Sequence, residues 1–206
     1  VYSGVVSLKS LRTVIFLAEL NDLEAWATDI GNAYLEAETS EKVFIVAGPE
    51  FGELEGHTLV IFKALYGLRS SGLRWSEKFS LCLRDMGFFP SLADPCIWMR
   101  RVDDCYEYIA VYVDDLAIAS KDPAGIIRTL TEEYKFKFKG TGPIEFHLGC
   151  DFFRDEGGVL CFAPRKYIDK LVASYERMFG SKPRTTKITS PLVKGDHPEI
   201  DDSAFL

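Results

Sequence analysis

Apolar positions recur every three or four residues in four stretches of the chain, and in the intervening stretches they alternate or run together. The first helical stretch places Leu8, Leu11, Val14, Ile15 and Ala18 on one face, with Ser7 able to cap its start and Asn21-Asp22 to end it. A strand is expected from Leu23 to about Asp29, then a β-branched run Val43 to Val46, an acidic turn Glu50 to Glu55, and a strand Thr58 to Lys63. Leu73, Phe79, Cys82, Leu83 and Met86 mark a second helix that Gly87 terminates, which assigns Trp75 and Phe79 to a core.

The middle of the chain reads as strand pieces. Cys96 to Arg101 is short; Tyr108 to Val113 and Leu116 to Ala119 are apolar and joined by Asp114-Asp115, a hairpin pattern. Asp122-Pro123 opens a third helix through Ile126, Ile127, Leu130 and Tyr134. Gly142-Pro143 and Gly157-Gly158 then bracket a strand Ile144 to Phe153, with Val159 to Phe162 as its hairpin partner. A fourth helix starts near Pro164 and aligns Tyr167, Ile168, Leu171, Val172, Tyr175, Met178 and Phe179, and beyond Gly180 the pattern dissolves into loop or linker. The order strand, helix, hairpin, helix, strand predicts an α+β fold with a split β-α-β, ferredoxin-like core.

Length narrows this to one large domain, or one plus part of a second, because 206 residues bury a substantial core. Ordinary proportions, with 47% hydrophobic and 27% charged residues, exclude collagen-like and disordered chains. No apolar run approaches the ~20 residues that cross a bilayer, so no membrane partner is expected. The chain opens at Val1 without a leader and stops in mid-pattern, and reads as a piece of something longer. Five cysteines at wide spacings suggest neither a disulfide framework nor a zinc ribbon, and a reducing, intracellular compartment fits them. The scattered His57, His147 and His197 are assigned no metal. The net charge of -7 is uneven: residues 1–120 carry -8 and residues 121–194 carry +5. A basic excess therefore follows the most acidic-looking site, although a solvated mixed-charge face has the same count.

Asp-Asp in a hairpin turn is most often only a turn. Here both flanking strands are apolar, so the carboxylates emerge from a buried sheet, and a divalent cation is the natural relief for like charges held that close. Asp29, at the end of the first strand, joins them if that strand neighbours the hairpin. Oxygen-only donors select Mg²⁺ or Mn²⁺, and two such ions activate a hydroxyl and stabilise a leaving pyrophosphate.

At these residues the sequence resembles the reverse transcriptases of copia-type long-terminal-repeat retrotransposons. Eight collinear segments between Val6 and Leu192 carry the likeness. They are Asp29-Ile30-Gly31-Asn32-Ala33-Tyr34-Leu35, Lys63-Ala64-Leu65-Tyr66-Gly67-Leu68-Arg69, Arg74-Trp75, Asp94-Pro95, Tyr112-Val113-Asp114-Asp115, Phe146-His147-Leu148-Gly149, Lys166-Tyr167-Ile168 and Ser190-Pro191-Leu192.

The resemblance implies a right-hand polymerase palm, with partial fingers over residues 1–140, a primer-grip hairpin and the start of a thumb over 141–180, and a connecting segment over 181–206. It implies Asp29 as the carboxylate shared by two metal ions, Asp114 as its partner and Asp115 as a third, lesser acid. Tyr34 would lie under the incoming sugar, Tyr66 and Gly67 would line the nucleotide pocket, and Leu148 and Gly149 would steady the primer. Lys135, Lys137 and Lys139 suit either a phosphate-binding surface or an exposed strand face. The implied partners are primed RNA or DNA template, deoxynucleoside triphosphates, and the integrase and ribonuclease H of the same polyprotein, in a cytoplasmic virus-like particle. Arg69-Ser70-Ser71-Gly72 departs from the family's usual Lys-Gln-Ala-Pro. Two other readings stand beside this one: a non-catalytic remnant kept as an interaction module, and another palm-fold enzyme such as a cyclase.

Overall fold

The computed structural model describes residues 3–183. Two compact units divide the chain, Val1–Pro164 and Arg165–Leu206. In the first, α1 (Leu8–Leu20) starts where the Ser7 hydroxyl accepts the Ser10 N–H, and it ends where the Asn21 N–H reaches back to Leu17 and Ala18. β1 (Glu24–Ile30) leads through a short α2 (Ala33–Glu36) into the antiparallel pair β2 (Glu38–Val46) and β3 (Thr58–Lys63). The acidic turn between them is a 3-10 helix, Pro49–Leu54, broken at Gly52. α3 (Ser71–Asp85) follows, burying Trp75, Phe79, Cys82 and Leu83.

The main sheet takes β4 (Phe89–Pro90), β5 (Ile97–Val102), β6 (Cys105–Tyr112), β7 (Asp115–Ser120), β1 and β8 (Phe138–Pro143), in the order β4-β5-β6-β7-β1-β8. Each of its neighbouring pairs is antiparallel. With α3 between β1 and the β6–β7 hairpin, and α4 (Pro123–Glu132) between that hairpin and β8, the central strands have the split β-α-β order expected from the chain. Asp122 caps α4 by accepting the Gly125 N–H, and Pro123 supplies the first turn.

Strand alternation sends side chains to two different cores. Ile30, Ile109, Leu116 and Ile118 meet Trp75 and Phe79 of α3 and Ile126 and Leu130 of α4. On the opposite face Ala27, Ala110, Ala117 and Ala119 meet Leu11, Val14, Ile15 and Ala18 of α1. The alanines let α1 approach the sheet closely. Each large side chain fully buried this way contributes about 2 kcal/mol.

The expected continuous strand Ile144 to Phe153 is broken. β9 (Phe146–His147) and β10 (Cys150–Arg154) pair antiparallel around Leu148-Gly149, and β10 pairs in turn with β11 (Leu160–Ala163). Leu148 and Gly149 both have positive φ, +45° and +82°, the signature of a two-residue hairpin loop that an apolar run conceals. Gly142-Pro143, expected to precede a strand, ends β8 instead. β8 is an edge strand, where a missing N–H costs nothing.

The second unit is described over α5 (Arg165–Phe179), whose apolar stripe matches the expected helix. Ser190-Pro191-Leu192 and most of the segment expected as linker lie outside the described residues. No described helix is long and apolar enough to cross a membrane.

Candidate active site

β1 and β7 run side by side with Asp29 directly opposite Asp115. Opposed residues in a ladder project to the same face with Cβ atoms about 5 Å apart, so these two carboxylates share one side of the sheet. That side is the alanine face, continued past the end of α1's coverage: Asp29 follows Ala27 in step, and Asp115 precedes Ala117. Asp114 occupies the two-residue loop Val113-Asp114 that closes the β6–β7 hairpin, whose last paired residues are Tyr112 and Asp115. Its carbonyl accepts the Ile30 N–H at 2.8 Å, which ties the loop to the end of β1.

The electrostatics reflect the same proximity. Burial raises the Asp115 carboxyl above its ordinary range, and the charges of Asp114 and Asp29 raise it further. The Tyr66 phenol is likewise raised, by burial, by Asp114, by Tyr34 and by Asp29. The ion pairs Arg74–Glu77, Arg100–Glu107, Lys121–Asp104 and Arg154–Glu19 include none of the three acids. The donor set is therefore oxygen-only, partly desolvated and self-repelling, which fits a hard divalent cation. The three acids share an edge without closing into a cage: among the described residues no three His, Cys, Asp or Glu side chains form a ready ligand cluster. Repulsion holds uncompensated carboxylates apart, and Mg²⁺ commonly takes only one or two protein carboxylates, the rest of its shell being water and phosphate.

Tyr34 stands on α2, five residues beyond Asp29, because Asn32 turns the chain at φ +56° immediately after β1. Its ring lies 4.7 Å from that of Tyr66, tilted by 35°. Gly67, next to Tyr66, has φ +97°, a conformation that favours glycine. A Cβ on Gly72 would come within 3.7 Å of the Tyr34 hydroxyl, so the departing segment Arg69–Gly72 lies against this aromatic pair. Within that segment the buried Ser70 hydroxyl has no hydrogen-bond partner.

Lys139 lies across β1's other side, directly opposite Asp29 on β8, where the register shifts by one residue between Ala27 and Asp29. A Cβ on Gly31 would meet the Lys139 side chain at 3.4 Å, so glycine makes room for that exposed lysine beside the acids. Of the alternating Lys135, Lys137 and Lys139, only Lys139 lies in β8, while Lys135 and Lys137 precede it, Lys135 at φ +63°; the pairing of Lys139 with Asp29 was beyond local pattern. Leu148 and Gly149 form the β9–β10 hairpin loop, and Leu148 packs on the α1-side core. The larger clefts lie elsewhere: one of about 400 Å³ is lined by Glu19, Trp26, Phe153 and Arg154. Asp29, Asp114 and Asp115 are each partly exposed.

Fold and edge together define an α+β domain that presents two carboxylates from adjacent antiparallel strands and a third from the adjoining hairpin loop. The chain matches the family described as reverse transcriptase (RNA-dependent DNA polymerase) over residues 1–190. It is 29% identical over 199 residues to the retrovirus-related Pol polyprotein from transposon TNT 1-94 of Nicotiana tabacum, covering 93% of this chain and 15% of that protein. To the retrovirus-related Pol polyprotein from transposon RE1 of Arabidopsis thaliana it is 29% identical over 188 residues, covering 90% of this chain and 13% of that one. The chain thus belongs to the reverse transcriptase family, as a copia-type reverse transcriptase domain, and spans a small part of the polyproteins it matches.

Proposed function

We propose that this chain is the palm and the start of the thumb of an RNA-directed DNA polymerase, which extends a primer with deoxynucleotides inside a retrotransposon polyprotein. The observation that carries the proposal is the register of β1 on β7, which pairs Asp29 with Asp115 while Asp114 stands in the adjoining loop. Asp29 and Asp114 would hold two Mg²⁺ or Mn²⁺ ions, with Asp115 supporting from beside them. Bound there, such ions lower the pKa of an attacking hydroxyl and neutralise charge on a leaving pyrophosphate.

The remaining roles belong to the chain. Tyr34, braced by Tyr66, limits the space under the incoming sugar, where a 2′-hydroxyl would meet the ring. Tyr66 and Gly67 border the nucleotide, and Leu148-Gly149 supports the primer end. The basic excess after residue 120 serves backbone phosphates without reading sequence. Primed RNA or DNA, deoxynucleoside triphosphates and the polyprotein's integrase and ribonuclease H are the partners this function requires.

In the full polymerase, Asp114→Asn should reduce extension of a primed RNA template by about a thousandfold, as several kcal/mol of charge stabilisation are lost. Extension retained within a few fold would refute the assignment. The unpaired, buried Ser70 hydroxyl, in the segment that departs from the family's usual residues, favours a second reading, a non-catalytic remnant that keeps the fold as an interaction module. The parent polymerase decides between them: no extension with either Mg²⁺ or Mn²⁺ leaves the second reading standing.

A further inference from the structure

We infer that Trp75 is the positioning residue for Asp114, acting through the peptide bond between Val113 and Asp114; the inference rests on the polymerase reading above. Val113 is the first residue of the two-residue loop and has φ +59°, while Asp114 is not among the residues with positive φ. That pattern is the turn in which the first position belongs to glycine, and a β-branched side chain is strained there. Something outside the loop has to hold it.

Two buried donors do so. The Trp75 indole N–H donates to the Val113 carbonyl at 2.8 Å, and the Ile30 N–H donates to the Asp114 carbonyl, also at 2.8 Å. The two common forms of a hairpin loop of this length differ by a flip of the central peptide, and the Val113 carbonyl belongs to that peptide. Flipping it would turn the acceptor away and strand the indole N–H of a side chain only 1% exposed. The indole cannot follow, because Phe79 stacks on it at 5.2 Å and Phe136 meets it edge-on at 5.6 Å. Trp75 thus has two separable parts: a ring that packs the α3 core, and one N–H that selects the loop conformation carrying Asp114.

The test uses the whole 206-residue chain with Mn²⁺ as the probe, comparing the parent with Trp75→Phe, Val113→Gly and the double variant. Trp75→Phe should weaken Mn²⁺ binding about tenfold and speed hydrogen exchange at the Ile30 amide by a similar factor, while β5 and β6 amides hold their rates. In the double variant, glycine adopts the left-handed conformation without strain, and Mn²⁺ affinity should recover to within a few fold of the parent. Parent-like Mn²⁺ binding and Ile30 exchange in Trp75→Phe would overturn the inference. So would exchange that accelerates equally across β5 and β6, or a double variant that recovers nothing, since either makes Trp75 a packing residue only. If the parent binds no Mn²⁺, the polymerase reading fails, and Ile30 exchange alone still decides whether Trp75 sets the loop.

Discussion

Acidification should unfold this protein in part through one side chain, His147. It is 4% exposed in β9, beside the Leu148-Gly149 loop, and its Nε2 has no hydrogen-bond partner. Burial lowers its pKa from 6.5 to about 4. The folded state therefore refuses a proton that the unfolded chain accepts as soon as pH falls below 6.5. Because the folded pKa is depressed for a base, stability is full at high pH, declines between about 6.5 and 4, and levels off below 4, where both states are protonated. At about 1.4 kcal/mol for each pH unit, the interval is worth about 3 kcal/mol, a large part of a domain's usual 5–15. Urea unfolding followed by circular dichroism, at half-unit steps from pH 7.5 to 3.5, measures it when the parent is compared with His147→Phe, because other carboxylates titrate alike in both. The stability difference should move by about 3 kcal/mol in favour of the variant across that window. Parallel curves would refute the reasoning and mean that water reaches His147.

Two further outcomes follow from charges the fold holds at some cost. Asp115→Asn should raise the unfolding midpoint at pH 7 without divalent ions, because it removes a carboxylate that burial and its acidic neighbours disfavour; the gain should shrink as acid neutralises the parent's Asp115, and an unchanged or lower midpoint would contradict the repulsion. Arg100→Met should cost about 3–5 kcal/mol in denaturant unfolding, since Arg100 donates through Nε and Nη2 to the buried Glu107, whose other oxygen accepts from Ser120, and Glu107 would be left charged without its partner. A loss below about 1 kcal/mol would show that Glu107 takes up a proton instead.

Much of the local structure around the candidate site was legible residue by residue. Ser7, Gly87 and Asp122-Pro123 marked helix ends through their own backbone chemistry, and apolar runs on both sides of Asp114-Asp115 marked a buried hairpin, because those signals act within a few residues. The Lys-Phe alternation before Gly140 carried the period of a strand, yet it was open to two readings until β8 was seen to pair with β1. The run Ile144 to Phe153 misled for a related reason. Continuous hydrophobicity reports burial, and a tight turn between two buried strands interrupts the backbone without interrupting burial.

The sequence by itself determined which side chains exist to do chemistry and which short segments are helical or extended, since both are set by residue type and local spacing. Only the tertiary structure decided which segments are neighbours: that Asp29 faces Asp115, that Lys139 stands on the other side of Asp29, and that an indole 38 residues before the loop bonds to Val113. Such pairings depend on how cores on both faces of a sheet fill together. That is a property of the whole chain, which no local pattern encodes.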